Sequence, residues 1–483
     1  MKGCVNMTNN TLKRTIAGLA VLTMALSTFT GCGNNNKNEA SSTTRSLKTE
    51  AADDIGTSAD EESTTKNNKT DSSFKAEKTT YTSNSSGVID TADLFSDRDL
   101  EQTADTSEAK MLSVSDGKTI DITEEGVYVI SGSAKNCTIK VNADDTSKVQ
   151  LVLDDVDIEN EDFPAIYVVS ADKVFITSTD SENSLSVTGA FTADGDTNTD
   201  AVIFSKDDIV LNGTGSLTVY SAYGNGISCK DDLKVTGGKY EISCAEDAFE
   251  ANDSIAVCGG EFTIKTQKDA FHAENDEDSS LGYIYIADGK FDINAASDGI
   301  QATTYVQIDG GTFDITSSEG IEATYVQINS GDITIDASDD GINATNKSDQ
   351  CDVVIEFNGG NTTITMGHGD TDGIDSNGSI YVNGGTIDVT AQMSSFDYDA
   401  AAEFNGGTII VNGEEVSEIP QSMMGGGHMG GRGGMGTPPD GNFGGGMGTP
   451  PDGNFGGGMG TPPDGNFGGG RGRSRDLNEQ NLT

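Results

Sequence analysis

From Asp200 onward, apolar residues fall at every second position in short runs, and the runs return about every 21 residues. In one copy Ile300 and Ala302, then Val306 and Ile308, then Phe313 and Ile315 share one face by two-residue alternation. Bends fall between the runs at Asp298-Gly299, Thr303-Thr304 and Gly310-Gly311. Upstream, Val127–Ile130, Cys137–Val141, Gln150–Leu153 and Ala165–Val168 alternate in the same way but less regularly, and no segment carries a helical period. A β-sandwich would also alternate, yet its strands would not recur with one register. The pattern therefore predicts an all-β solenoid, a parallel β-helix of three short strands and about 20–22 residues per turn, with turns stacked about 4.8 Å apart.

Each turn opens on an acid. The copies read Asp247-Ala248-Phe249-Glu250, Asp269-Ala270-Phe271-His272, Asp298-Gly299-Ile300-Gln301, Glu319-Gly320-Ile321-Glu322, Asp340-Gly341-Ile342-Asn343 and Asp372-Gly373-Ile374-Asp375. Stacked turns would pile these carboxylates into a column. At that spacing two like charges repel by about 1 kcal/mol in water and about 3.5 kcal/mol at an effective dielectric of 20. Many solenoids place Asn in such a ladder, so carboxylates point to a counter-ion. Oxygen donors without a His or Cys cluster select Ca²⁺ over zinc or copper. The candidate metal ligands are Asp247, Glu250, Asp269, Asp298, Glu319, Glu322, Asp340, Asn343, Asp372 and Asp375, serving several ions. His272 interrupts the ladder and reads as a surface side chain. An acidic edge screened by salt is the plainer alternative.

Two turns carry insertions, Glu274–Tyr283 and Thr345–Val353, leaving from the same corner. Beside them the outward positions of the second strand read Tyr285, Gln307, Gln327, Glu356 and Tyr381, flanked by Tyr305 and Tyr325. Flat rings and amides suit a sugar chain, so Tyr285, Gln307, Gln327 and Tyr381 are the candidate ligand-binding residues.

The formal net charge of −49 argues against nucleic acid, which needs a positive footprint, and favours cations. Lys13 and Arg14 precede an apolar run from Ile16 to Leu26 and then Phe29-Thr30-Gly31-Cys32, the features of an export signal over residues 1–31. The end of that signal resembles a bacterial lipobox, which makes Cys32 the lipid-bearing residue and the protein extracytoplasmic, anchored on the outer face of the cell membrane. Residues 32–107, rich in Ser, Thr and Asn, read as a flexible linker, residues 108–418 as the solenoid, and residues 419–483 as a disordered tail. In that tail Met435–Phe443 recurs at Met447 and Met459. The cysteines within the solenoid show no metal spacing; Cys229 falls where other copies place Ala251 and Ala302, a small core position.

The motif Asp-Gly-Ile-x-Ala, followed by Val-x-Ile-x-Gly-Gly-x-Phe-x-Ile, resembles a family of bacterial surface proteins named as carbohydrate-binding domain-containing, over roughly Asp121–Val411. The resemblance implies a right-handed parallel β-helix that binds calcium at stacked acidic turns and adheres to plant cell-wall polysaccharide, cellulose or polygalacturonate-like acidic glycans. It also implies a distant similarity to pectate lyases. Asn225, His272 and Phe396-Asp397-Tyr398 depart from the motif. The rival expectation is a calcium-dependent lyase on pectic uronides, with Lys265, Lys268, Lys290 or Lys347 as its base. A protein-binding adhesin is a third.

Overall fold

The computed structural model describes residues 75–420, apart from Asp276 and Asp370. The signal, Cys32 and the repetitive tail from Gln421 lie outside the described residues. From Lys110 the chain coils as a parallel β-helix. In one turn the strands are Asp298–Ala302, Tyr305–Ile308 and Thr312–Ser317; in the next they are Glu319–Ala323, Tyr325–Ile328 and Asp332–Ala337. Each strand pairs in parallel with its equivalent one turn away, so Ile300 faces Ile321, Val306 faces Val326 and Phe313 faces Ile333. Among the described residues the first strands form a ladder of 12. The second and third strands form two further ladders, joined where Gly126–Lys135 and Lys148–Asn160 run unbroken around a corner. There the register shifts between Ile130 and Gly132, and Asp155 takes a φ of 59°.

Alternation puts one apolar column per inward position into a continuous core. Phe262, Phe291 and Phe313 stack face to face, with centroids 4.7 and 4.4 Å apart, so the rings repeat at the strand spacing. Cys229 is fully buried in register with Ala251, as its sequence position predicts. Gly pairs close the bend after several of the second strands. At Gly310 a Cβ would sit 2.6 Å from the Ala287 carbonyl oxygen, and Gly311 holds a φ of 107°. Side chains there would force stacked turns apart.

Residues 75–107 correct the expected linker. They form a strap that runs out along the second-strand face and returns, bridged to itself at Lys78 and Glu101. Ile89, Leu94 and Phe95 are buried against Ala256, Cys258 and Tyr285, with Tyr81 edge-on to Phe95 and Tyr285. Polar anchors match the apolar ones. Gln102 donates to Thr236 and accepts from the Gly213 N–H at 2.9 Å, and Lys234 donates to the Leu94 carbonyl at 2.7 Å. The Ile89 and Val88 N–H groups donate to the side-chain oxygens of Gln307 and Gln327, at 2.8 and 3.1 Å. Gly87 lies so close over the Gln307 amide that a Cβ would fall 2.1 Å from it. The composition that suggested a tether hides a few apolar residues whose partner surface exists only after the solenoid has coiled.

Candidate functional site: a carboxylate corner

The acids stack where the sequence puts them. Asp298 pairs with Glu319 and Asp340 with Asp372, while three residues on Glu322, Asn343, Asp375 and Asp397 follow one another in register. In Asp247, Asp269 and Asp340 the first oxygen has a structural job. The Asp247 N–H donates to Asn225 Oδ1 at 2.8 Å, the Asp269 N–H to Asp247 Oδ1 at 3.0 Å, and the Asp298 N–H to Asp269 Oδ1 at 2.8 Å. The Asp372 N–H donates to Asp340 Oδ1 at 3.2 Å. An amide oxygen would serve equally, as Asn225 demonstrates. What a carboxylate adds is its second oxygen and its charge.

That charge is held at a cost. Asp247, Asp269 and Asp298 keep only 5, 6 and 5 % of their surface exposed, which takes them out of the solvent that would stabilise an anion. Burial, then the charges of Asp269, Glu319 and Glu322, push Asp298 up to about 8. Burial pushes Asp340 up to about 7, with Asp375 and Glu319 adding to it, and Asp375 up to about 6, with Asp372 and Asp397 adding to it. Burial also raises Asp269 and Glu319. In water a column of such groups near neutral pH needs protons or cations.

Part of the counter-charge is built in. Lys230 lies 3.3 Å from Glu250, which also accepts from Asn225 Nδ2 at 2.8 Å. His272 overturns its reading as a mere surface residue: its Nδ1 lies 3.2 Å from Asp247 and 3.7 Å from Asp269, and its Nε2 3.5 Å from Glu274. Burial works against the charged ring, but Asp247, Asp269 and Glu274 together hold His272 above its usual value. Lys347 is paired with Glu322, whose other donor is Gln301 Nε2 at 2.7 Å.

Oxygen atoms of Asp298, Glu319 and Glu322 converge within 4.8 Å of one another, as do ligand atoms of Asp247, Asp269 and His272. One turn on, Asn343 donates through Nδ2 to Glu319 at 3.0 Å, and its Oδ1 is buried without a hydrogen-bond partner. The converging carboxylates of Asp298, Glu319 and Glu322, with an orphaned amide oxygen one turn on, are the oxygen donors a hard cation takes: the residues present fit Ca²⁺. A second acidic group escaped the sequence reading. Asp231, Asp232 and Asp253 converge at the corner between first and second strands, where burial and the neighbouring Asp253 push Asp231 up to about 7. The recurring acid pairs Asp207-Asp208 and Asp231-Asp232 were its sequence signal.

The expected sugar-facing row is not open. Tyr285 and Gln307 are 0 % exposed and Gln327 3 %, all beneath the strap, which corrects the expectation: the two glutamines accept from the strap's backbone N–H groups and Tyr285 donates to Asp309. Tyr381 lies beyond the strap, half-buried. Between the strap and the insertions, Tyr305 and Tyr325 remain half-buried with ring centroids 6.1 Å apart, and Tyr325 Oη donates to Glu356 at 2.9 Å. The two insertions meet, because Ser348 Oγ donates to the Ser279 carbonyl at 2.9 Å and Gln350 Nε2 to Ser279 Oγ at 2.9 Å.

A sequence model of the carbohydrate-binding domain-containing protein family matches residues 116–373, more than half of the chain and nearly all of the stacked turns just described. The chain belongs to this family. A carbohydrate-binding domain-containing protein from Acetivibrio thermocellus is 38 % identical over 135 residues, covering 27 % of this chain and 46 % of that relative. The match thus spans under half the length of that protein. Among solved structures, a gadolinium derivative of the polysaccharide lyase-like protein from C. thermocellum is 30 % identical, covers 44 % of this chain and 92 % of its own, and superposes with a TM-score of 0.41. Family membership supports carbohydrate binding.

Proposed function

We propose that this family member is a calcium-loaded carbohydrate-binding protein, held on the outer face of the bacterial membrane through a lipid at Cys32. Its ligands are plant cell-wall polysaccharides, acidic polygalacturonate-like chains and cellulose. The observation that carries the reading is the carboxylate corner, whose acids are raised by burial and mutual repulsion and whose Asn343 oxygen lacks a donor. Asp298, Glu319 and Glu322, whose oxygens converge, and Asp340, Asn343, Asp372 and Asp375, stacked in the following turns, would hold the ions. When bound, Ca²⁺ supplies a positive charge that a uronate carboxylate can share. A scaffold of net charge −49 would otherwise repel an acidic glycan. Tyr305, Tyr325 and Tyr381 would offer ring faces to neutral sugar.

The lyase alternative requires a neutral amine as base. Lys268 is ion-paired with Glu246, which raises it above its ordinary value, and Lys347 is paired with Glu322. Both amines are engaged by carboxylates rather than free to act as bases, and this favours binding over elimination. A glycan array read with Ca²⁺ and with excess EDTA tests the proposal. Acidic-glycan signal should vanish on chelation; undiminished retention on polygalacturonate would sink the calcium bridge. Mass spectrometry of the membrane-associated chain should find the acyl groups on Cys32.

A further inference from the structure

The insertion Thr345–Val353 does more than lengthen a loop. Thr324, fully buried at the end of the turn, accepts the N–H groups of both Lys347 and Ser348 at 3.0 Å through its Oγ1. Two successive donors on one hydroxyl fix the direction of the loop at that point, and Ser348 is tied in turn to Ser279 of the other insertion. The result is that the Lys347 ammonium is delivered onto Glu322, beside the converging oxygens of Asp298 and Glu319. Glu322 keeps 7 % of its surface exposed and Asp298 5 %, so the pair sits where a charge without a partner is expensive. Among the described residues Lys347 is the sole Lys or Arg between Phe291 and Pro420. A chain so sparing of cations has placed one on a group of converging acids.

We infer that Lys347 is a tethered counter-ion occupying the cation position of the Asp298–Glu319–Glu322 group. A divalent cation enters there by displacing its ammonium, which frees the loop that carries it. The inference rests on the proposal that the corner takes Ca²⁺. Here the corner carries its own cation, so metal entry is an exchange rather than a simple addition. A competing internal ligand lowers apparent affinity by the fraction of time it occupies the site. Because the loop stands next to Tyr305 and Tyr325, its release would alter the edge of the candidate sugar-binding surface.

Two measurements on the full chain test this. In calcium titration calorimetry, Lys347→Met, which keeps the stem and removes the charge, should bind Ca²⁺ at one site about tenfold more tightly than the parent chain. In the unaltered protein, acylation of Lys347 by an amine-reactive reagent, read by peptide mass spectrometry, should rise severalfold when Ca²⁺ replaces EDTA, while exposed Lys290 stays constant. Unchanged Lys347 labelling, or identical titrations for the two proteins, would overturn the inference. Calcium uptake by the parent chain with unchanged labelling removes the displacement alone, and no uptake by either protein removes the calcium reading with it.

Discussion

Two corners of the same coil solve the problem of stacking polar side chains in opposite ways. After each second strand, Asp309, Asn329, Asn358, Asn383 and Asn405 stand above one another, and every amide donates to the side chain one turn back, at 2.7, 2.8, 2.8 and 2.9 Å. Such a ladder is self-sufficient, because each amide carries both a donor and an acceptor. Its single acid, Asp309, is surrounded by donors: Asn84, Tyr285, Gln307 and Asn329. At the start of each first strand the carboxylates can only accept. Asp247, Asp269 and Asp340 each take one N–H from the next turn, which leaves an oxygen and a charge over. The same stacking that makes an Asn column cohesive makes an acid column hungry for cations.

The largest effect expected from breaking this contrast is at Asp309. Asp309→Ala removes an acceptor from four buried or half-buried donors and should cost about 3–5 kcal/mol in denaturant unfolding, equally with and without Ca²⁺. Next comes pH. Asp298 and Asp340 have folded values raised to about 8 and about 7, above those of the unfolded chain, so the native state binds more protons between roughly pH 4 and pH 8. Stability from these groups is fully present below pH 4 and is lost as pH rises through 8. In EDTA the melting temperature should therefore fall from pH 5.5 to pH 8.5, and saturating Ca²⁺ should flatten the slope. A rising melting temperature in EDTA would contradict the description of the corner.

A smaller effect sharpens the comparison further. Asp340→Asn keeps an oxygen for the Asp372 N–H and removes a charge, so the EDTA form should gain about 1 kcal/mol while calorimetry reports weaker Ca²⁺ binding. Smallest is Asn383→Ala in the exposed part of the amide ladder, with a loss of about 0.5–1 kcal/mol in thermal unfolding and no change in Ca²⁺ affinity.

Much of the corner was legible because its cause is local. Period-two alternation and a Gly pair at fixed spacing give each turn its three strands, and once turns repeat with one register, Asp298, Glu319, Asp340 and Asp372 must align. Their counter-ions were not legible. Lys230, His272 and Lys347 come from a neighbouring bend, an interrupted motif and an insertion, and only stacking brings them to the acids. The sugar-facing row failed for a related reason. Tyr285, Gln307 and Gln327 do point outward, as alternation requires, but outward is not the same as exposed.

The sequence by itself determined the path of each turn, the composition of the core and the column of acids, because those follow from side-chain alternation and from dihedrals that glycine alone reaches without strain. Only the tertiary structure decided which outward faces stay open and which charges are matched. Ile89, Leu94 and Phe95 have no periodicity to announce them, and they find an apolar partner only on a surface assembled from many separate turns. An outward side chain's surroundings belong to residues far away in the chain, and no local pattern records them.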